Sequence, residues 1–362
     1  MLRTARFLRT WLKQENDGLV EEEVTIPVAG RPREATLLHP RGGGERPGWV
    51  VLQGLSVHGR QHPALKRFAR SLAASGASVL LPEEPAWTSL RLDPDAARET
   101  LSDAVVHLSS LPGVRPGGVG AVGFSFGATQ AVMAASDPRL EGKLRAVLAF
   151  GGYCDVGRML RCVFTGEHEW NGVRHRLDPD PYGRWVVVGN YMTLVPGYEH
   201  MEALQAAAYE LAVKAGTALA WAWEPQFDPL KLELRARLSP DEQRVWDVIA
   251  PPAGAPIDLP AARALADAFA KTAVEKDPGL DPRPKLAGLR GRIMLTHGRA
   301  DRLIPYTESL RLRAMMPERV DATATITGLF AHSAAAGLLH PVDWARETGR
   351  FVGLLNRALY AV

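Results

Sequence analysis

The amino-acid sequence predicts an α/β protein with a mostly parallel sheet that helices cover on both faces. The first observation is the alternation of short β-type runs with helical runs over residues 49–150, which is typical of a parallel sheet. The second is the pentapeptide Gly-Phe-Ser-Phe-Gly at 123–127, which lies between a β-type run and a helical run. The third is the position of Asp301 and His332, each just beyond a later predicted strand.

The predicted sheet begins with an antiparallel hairpin. Apolar and polar residues alternate over 20–28 and again over 33–39, and Ala-Gly-Arg-Pro at 29–32 supplies the turn between them. Three glycines at 42–44 end this unit. The remaining predicted strands are 49–53, 78–82, 119–122, 146–150, 291–297 and 322–326, and the predicted helices between them are 62–75, 94–109 and 128–135. Their order gives a parallel sheet after the hairpin.

The chain also predicts an insertion in this sheet. Single cores seldom grow past about 250 to 300 residues, and this chain has 362. We expect residues 1–18 to form an N-terminal amphipathic helix, and residues 19–153 and 286–362 to form the core. Residues 154–285 then form a mainly helical cap between the sixth and seventh core strands.

Composition within the insertion distinguishes loops from helices. Residues 152–185 are rich in Gly, Asp, Pro and aromatic side chains, and this predicts long loops. Periodicity predicts helices over 201–221 and 261–273. A third helix begins near Ser239, because Ser-Pro-Asp-Glu provides a capping serine, a proline suited to the first turn and an acid three residues on.

Overall composition excludes several classes of protein. Hydrophobic residues make up 46% and charged residues 23%, which is ordinary for a globular protein. No apolar stretch reaches the roughly 18 to 20 residues of a membrane span. A net charge of +3 from 43 basic and 40 acidic residues predicts no nucleic-acid partner.

The cysteines and the N-terminal residues predict a cytoplasmic protein. Cys154 and Cys162 are the two cysteines, and their spacing fits neither a zinc site nor a secreted disulfide framework, so we expect reduced thiols. Residues 1–13 lack the apolar core of a secretory signal. Leu2, Leu8 and Leu12 instead follow helical spacing with basic residues between them, which suits packing on the domain or contact with an anionic membrane surface.

The pentapeptide at 123–127 predicts a nucleophile elbow. In such a strand-to-helix turn, small residues flank the serine and its hydroxyl is lifted above the sheet. Ser125 is therefore the candidate nucleophile. A serine hydroxyl is a weak nucleophile and needs an adjacent base, and the base needs a third group that holds its tautomer and stabilises its positive charge.

Two later residues match these needs in the chain order Ser, Asp, His. Asp301 follows the predicted strand 291–297, and His332 follows the strand 322–326. With this order and the elbow, the sequence resembles the α/β-hydrolase superfamily over about residues 20–155 and 286–360. The resemblance implies a triad in which Ser125 attacks, His332 is the base and Asp301 is the acid.

The resemblance also implies a lid and indicates which enzymes of the superfamily are most similar. Many hydrolases of this superfamily carry a lid between the sixth and seventh core strands, where the insertion lies. The elbow and Gly-Arg-Ala-Asp at 298–301 look most like dienelactone hydrolases and acyl-aminopeptidases. One alternative for the acid is Asp155, since it follows the strand ending at Phe150 and some members of the superfamily place the acid there.

Acyl transfer requires hydrogen-bond donors for the developing oxyanion. If Gln53-Gly54 corresponds to the His-Gly of the family, the backbone N–H groups of Leu55 and Phe126 are these donors. His58-Gly59 lies further along the same loop, so the register could shift by a few residues and His58 would then line the pocket. Phe124 and Tyr153 are further candidates for the pocket lining and predict an apolar entrance.

These features predict a serine hydrolase that cleaves a carboxylic ester through an acyl-enzyme on Ser125. The expected substrate is a small molecule with an apolar acyl or alcohol part. No phosphate-binding or dinucleotide motif and no metal-ligand spacing occurs in the sequence, so no cofactor and no metal are expected. The same triad would serve an amide or peptide hydrolase or an acyltransferase, and the scaffold alone would serve a catalytically silent binding protein.

Overall fold

The structure is a computed structural model that describes residues 1–14, 18–330 and 341–362. Its strands are β1 (Leu19–Val28), β2 (Arg31–Pro40), β3 (Arg46–Leu52), β4 (Ser78–Pro82), β5 (Val114–Phe124), β6 (Leu144–Phe150), β7 (Glu167–Trp170), β8 (Val173–Arg176), β9 (Arg292–Gly298) and β10 (Asp321–Thr327). Its helices are α1 (Leu2–Lys13), α2 (Pro63–Ala74), α3 (Pro85–Thr88), α4 (Pro94–Ser110), α5 (Phe126–Ala134), α6 (Val156–Thr165), α7 (Tyr182–Tyr191), α8 (Glu202–Ala218), α9 (Asp228–Ala236), α10 (Pro240–Ile249), α11 (Leu259–Lys276), α12 (Arg283–Leu286), α13 (Tyr306–Met315) and α14 (Pro341–Leu359).

The main sheet is mostly parallel, as the sequence predicts. Within the described residues it has eight strands in the order β1-β2-β4-β3-β5-β6-β9-β10. The β1–β2 and β2–β4 pairs are antiparallel, and every other neighbouring pair in the sheet is parallel. The predicted opening hairpin is confirmed, and Ala29 and Gly30 both have positive φ (48° and 72°), which suits the twist of a tight hairpin turn.

Helices cover both faces of the sheet. Since alternate side chains of a strand point to opposite faces, each strand contributes to two cores. Val50 and Leu52 of β3 belong to a core under α4, α5 and the insertion. Trp49 and Val51 of the same strand belong to a second core under α1, α2 and α14. The neighbouring strand β5 is likewise buried on both faces, with Ala121 in the first core and Val122 in the second.

The N-terminal helix α1 packs on the core. Its Phe7 is buried, with its ring edge against Phe68 of α2 at a centroid distance of 5.4 Å. The Thr4 hydroxyl bonds to Asn356 of α14 at 3.0 Å. Leu2 and Leu12 remain exposed on the outer side of the helix.

The insertion lies between β6 and β9, the sixth and seventh strands of the main sheet, as predicted. Its first part differs from the expected long loops, since residues 152–185 contain α6, the β7–β8 hairpin and the start of α7. Helix α6 has a local cause: the Asp155 side chain accepts a hydrogen bond from the N–H of Arg158, and Gly166 ends the helix with φ 77°. The prediction of a capping box at Ser239 is confirmed.

Among the described helices, none combines the length and the apolar character required to cross a bilayer.

Candidate active site

Ser125 lies at a strained turn between β5 and α5. Its φ of 54° and ψ of −124° lie outside the conformations that non-glycine residues commonly adopt. The N–H of Ser125 donates to the carbonyl of Phe150 at 2.7 Å, and this bond fixes the turn to the end of the neighbouring strand β6. Strain of this kind costs about 1 to 3 kcal/mol and clusters at functional sites. Ser125 thus has the backbone geometry of a nucleophile elbow.

Glycines surround the serine because the backbone approaches itself closely. A Cβ atom on Gly123 would lie 2.2 Å from the carbonyl oxygen of Gly127. A Cβ atom on Gly127 would lie 2.2 Å from the carbonyl oxygen of Gln53, and one on Gly54 would lie 3.1 Å from the Cβ of Ser125. The elbow and the loop after β3 therefore pack backbone against backbone.

Asp301 lies in the acid loop, residues 299–305, which connects β9 to α13. Its side chain is 2% exposed, and its Oδ1 accepts hydrogen bonds from the N–H groups of Leu303 and Ile304, both at 2.9 Å. Its Oδ2 lies 3.3 Å from Nε2 of His297. The backbone bonds make the carboxylate a fixed acceptor at the carboxyl edge of the sheet.

Asp155, the alternative acid, has both carboxylate oxygens occupied. Its Oδ1 accepts from the N–H of Arg158 at 2.9 Å, and its Oδ2 pairs with Nη1 of Arg283 at 2.8 Å. The side-chain partner is thus an arginine from the far end of the insertion. This carboxylate acts as a helix cap and an ion pair between segments.

His332 lies outside the described residues, so the structure does not place the proposed base relative to Ser125 or Asp301. Strand β10, which precedes it in the chain, pairs in parallel with β9, and its last residue Thr327 is level with Gly298. The carboxyl ends of β5, β9 and β10 therefore lie along one edge of the sheet, where sites of open α/β sheets form.

The two predicted oxyanion donors, Leu55 and Phe126, each directly follow one of the two residues that are in contact, Gly54 and Ser125. Phe126 is the first residue of α5, and a first-turn N–H has no partner within its own helix. Leu55 directly follows Gly54, which packs against Ser125. The positive end of the α5 dipole also points toward the turn at Ser125, and it favours negative charge there.

His58 connects the loop after β3 to the insertion. Its Nε2 lies 3.3 Å from the carbonyl oxygen of Thr217 in α8. Its ring also lies 6.1 Å from that of His62, and burial, followed by the proximity of His58, lowers the pKa of His62. His58 therefore lies at the junction between the core and the insertion.

Phe124 and Tyr153, the other candidates for the pocket lining, both pack against rings. Phe124 is stacked on Phe150 at 4.8 Å and meets the edge of Phe68 at 5.1 Å. Tyr153 is fully buried, is stacked on Phe126 at 6.0 Å, and donates its hydroxyl to the carbonyl of Leu280 at 2.8 Å. Burial raises the pKa of Tyr153. These contacts make Tyr153 a packing residue beneath the elbow helix.

The acid loop borders an open cleft of about 440 Å³ whose opposite wall is the β7–β8 hairpin. Asp301 and Arg302 lie on one side. His168 and His175 lie on the other, with stacked rings 5.0 Å apart. Burial, aided by the neighbouring His175, lowers the pKa of His168 to about 4, so this imidazole is neutral near pH 7. Of the predicted site residues this cleft reaches Asp301, whereas Ser125, Leu55 and Phe126 do not line it.

Two polar side chains of α13 support the strand ends beside the site, and sequence reasoning missed both. Glu308 is buried and accepts from the N–H groups of Cys154 and Asp155 at 3.0 and 2.8 Å. Burial raises the pKa of Glu308, while these backbone bonds oppose that change. Ser309 bonds to the buried His297 at 2.7 Å. The sequence offered one hint of this arrangement, which is that His297 lies just before the loop that contains Asp301.

Neither cysteine has the properties of a nucleophile. Cys154 and Cys162 are both buried and form no disulfide. Burial raises the pKa of the Cys154 thiol to about 12 and also raises that of Cys162. Both thiols therefore stay protonated near neutral pH, and a thiolate is the reactive form.

Comparison with known proteins gives a likeness in fold. No protein-family model and no curated protein sequence matches the chain. Uncomplexed acylaminoacyl peptidase from Pyrococcus horikoshii is similar with a TM-score of 0.51 at 11% identity, over 96% of this chain and 43% of that chain. Brefeldin A esterase, described as a bacterial homologue of human hormone-sensitive lipase, gives 0.49 at 16% identity, over 99% and 82%. The 2,6-dihydroxy-pseudo-oxynicotine hydrolase gives 0.48 at 17% identity, over 99% and 74%.

At these identities the likeness concerns the fold alone. The eight-stranded, mostly parallel sheet, the helices on both of its faces and the strained serine turn after β5 agree with it. The chain therefore has the α/β-hydrolase fold.

Proposed function

We propose that this protein is a serine hydrolase that cleaves a carboxylic ester through an acyl-enzyme on Ser125. The observation that carries the proposal is the strained backbone conformation of Ser125, which combines a φ of 54° with a ψ of −124° and is held between β5 and α5 by the bond to Phe150. A fold has no need of a non-glycine residue in this conformation at a turn, whereas a nucleophile must be lifted above the sheet.

In the proposed reaction, the hydroxyl of Ser125 attacks the ester carbonyl while the imidazole of His332 takes its proton. The tetrahedral oxyanion is stabilised by the N–H groups of Leu55 and Phe126. His332 then protonates the leaving alcohol, and the acyl-enzyme remains. Water attacks this intermediate with His332 as base, and the acid and free enzyme are released.

Asp301 is the proposed acid of the triad. Its buried carboxylate is fixed by two backbone N–H groups, whereas Asp155 is committed to a helix cap and to Arg283. A buried, oriented carboxylate holds the tautomer of the base and stabilises the imidazolium that forms during attack. These contacts favour Asp301 over Asp155.

The insertion is the proposed cap, and we place its boundaries at residues 154–285. Two contacts support this role: His58 of the loop after β3 meets α8, and the β7–β8 hairpin faces the acid loop across the cleft of about 440 Å³. The cleft reaches Asp301, and His58 follows Leu55, the proposed oxyanion donor, by three residues in the chain. The substrate is therefore proposed to be a small molecule that enters between the insertion and the sheet edge.

A covalent probe tests the nucleophile. The full-length protein is treated with a fluorophosphonate and its intact mass is measured, together with that of Ser125→Ala. We expect one adduct on the wild type and none on the variant. No adduct on a folded wild type would refute the proposal and favour a silent binding protein. An adduct that persists in the variant would also refute it, because a side chain other than Ser125 would then be the reactive one.

A substrate panel tests the bond that is cleaved. Short-chain and long-chain p-nitrophenyl esters are compared with aminoacyl p-nitroanilides, and an added alcohol serves as an acyl acceptor. We expect ester hydrolysis to dominate. Faster cleavage of the anilides would indicate an amide or peptide hydrolase, and preferential transfer to the alcohol would indicate an acyltransferase.

A further inference from the structure

The buried side chain of His297 joins the end of β9 to the acid loop and to α13. His297 is fully buried. Its Nε2 lies 2.8 Å from the carbonyl oxygen of Ile304, and its Nδ1 lies 2.7 Å from Oγ of Ser309. With a partner on each nitrogen, the imidazole ring is held in one orientation.

The surrounding acceptors assign the tautomer of His297. Nε2 faces the carbonyl oxygen of Ile304 and, at 3.3 Å, Oδ2 of Asp301, and both are acceptors. Nε2 therefore carries the proton. In the neutral ring, Nδ1 then accepts from the hydroxyl of Ser309, which is the shortest contact of the group.

This arrangement controls both sides of the turn that contains Asp301. Oδ1 of Asp301 accepts from the N–H of Ile304 at 2.9 Å, and the carbonyl of the same Ile304 accepts from His297. The imidazole thus holds the peptide segment to which the carboxylate is bonded. It also places an N–H beside Oδ2, the oxygen that is not used by the backbone bonds.

We propose that His297 is a positioning residue for hydrolysis, which holds the Asp301 carboxylate in the single orientation that the catalytic base requires. Ser309 supports the imidazole from the opposite side. This inference rests on the proposed function, because Asp301 is the proposed acid of the triad. It adds a fourth side chain, one that touches neither substrate nor the reacting atoms.

A merely structural role for His297 makes a different prediction. A buried side chain that only fills the core lowers stability when it is replaced, and the pH dependence of the remaining activity stays the same. Replacement of a positioning residue instead alters the orientation of the acid that faces the base. The imidazolium of the base is then less stabilised, its pKa falls, and the acid limb of kcat/KM moves to lower pH.

Asparagine and glutamine at position 297 separate these roles. In His297→Gln, the amide nitrogen occupies roughly the place of Nε2 and can donate to Ile304. In His297→Asn, the shorter amide reaches only the Ser309 side. We expect His297→Asn to lower kcat by about 10- to 100-fold with KM within about threefold, as misplacement of a catalytic group by about 1 Å does. His297→Gln should stay within about fivefold of the wild type.

Amide hydrogen exchange gives a readout that needs no substrate. The N–H groups of Leu303 and Ile304 are protected by Oδ1 of Asp301, so they should exchange faster in His297→Asn than in His297→Gln. If the wild type neither hydrolyses esters nor reacts with the fluorophosphonate, the proposed function fails. The exchange arm then still decides whether His297 positions the loop.

Equal kcat, equal acid limbs and equal exchange in the two variants would overturn the inference. If His297→Asn does not fold, Ser309→Ala takes its place, since it removes only the hydroxyl that supports Nδ1. We expect the same changes in this variant at smaller amplitude. Wild-type kcat, acid limb and exchange in Ser309→Ala would then overturn the inference.

Discussion

Replacing Gly127 with alanine tests how closely the elbow packs against the loop after β3. The added Cβ would lie 2.2 Å from the carbonyl oxygen of Gln53 and 3.3 Å from the ring of Trp87. Ordinary van der Waals contact begins near 3.4 Å, so the two backbones must separate by about 1 Å. The closest contact is with a backbone oxygen, so a change of side-chain rotamer cannot relieve the clash.

The expected loss follows from what this separation moves. The loop after β3 carries Leu55, a proposed oxyanion donor, and a misplacement of about 1 Å costs about 100-fold in rate. We expect Gly127→Ala to lower kcat for a p-nitrophenyl ester by about 100-fold. Overpacking should also lower the free energy of unfolding by about 1 to 3 kcal/mol, measured by urea denaturation.

Gly353→Ala is the matched control. Gly353 lies within α14, and a Cβ atom there would have no neighbour within 4 Å among the described residues outside the backbone of its own helix. This variant should keep its activity and be as stable as the wild type, or more so, because alanine favours helix more than glycine by about 1 kcal/mol. The reasoning would be refuted if Gly127→Ala retained kcat within twofold and unfolded at the wild-type urea concentration.

Four further substitutions test the acid, the N-terminal helix and the pH dependence of stability. Asp301→Asn should lower kcat by about 10⁴-fold, whereas Asp155→Asn should lower stability by about 1 kcal/mol and leave kcat within a few-fold, measured by ester hydrolysis and urea denaturation. Phe7→Ala should lower the free energy of unfolding by about 3 kcal/mol without changing kcat. The folded-state pKa of His168 is about 4 and its ordinary value is 6.5, so the unfolded chain binds the extra proton first. Stability should therefore fall as the pH drops from 6.5 toward 4, and His168→Gln should reduce that slope in urea denaturation at each pH.

Each of these expectations has a result that contradicts it. A larger loss of kcat in Asp155→Asn than in Asp301→Asn would move the acid to the end of β6. Unchanged stability in Phe7→Ala would mean that α1 contributes little to the core. An identical pH slope in wild type and His168→Gln would show that this imidazole titrates normally in the folded protein.

Local patterns in the sequence predicted the sheet and the elbow well, because each depends on neighbouring residues. The glycines around Ser125 are required by close contacts of the elbow backbone, and the alternation at the end of β1 reports the face that buries Ile26 and Val28. The prediction of long loops over 152–185 was wrong, because Gly, Pro and Asp were counted as loop residues. In the structure, Asp155 begins a helix and Gly166 ends it.

Partnerships between distant segments were beyond the sequence. Arg283 forms an ion pair with Asp155, which is 128 residues away in the chain. Glu308 accepts a hydrogen bond from the N–H of Cys154 after β6, which is 154 residues away. Such pairs leave no local period or motif. The role of His332 stays a prediction, because it lies outside the described residues and no distance joins it to Ser125 or Asp301.

The places where the insertion leaves and rejoins the core have a consequence for how such a protein can be altered. It departs after β6 and returns at β9, and these strands are hydrogen-bonded neighbours, with Phe150 level with Thr296. The register of the sheet therefore does not depend on what connects them. A different segment could be grafted between these two ends if it covers the core face that the insertion covers, and the strand ladder would then stay intact.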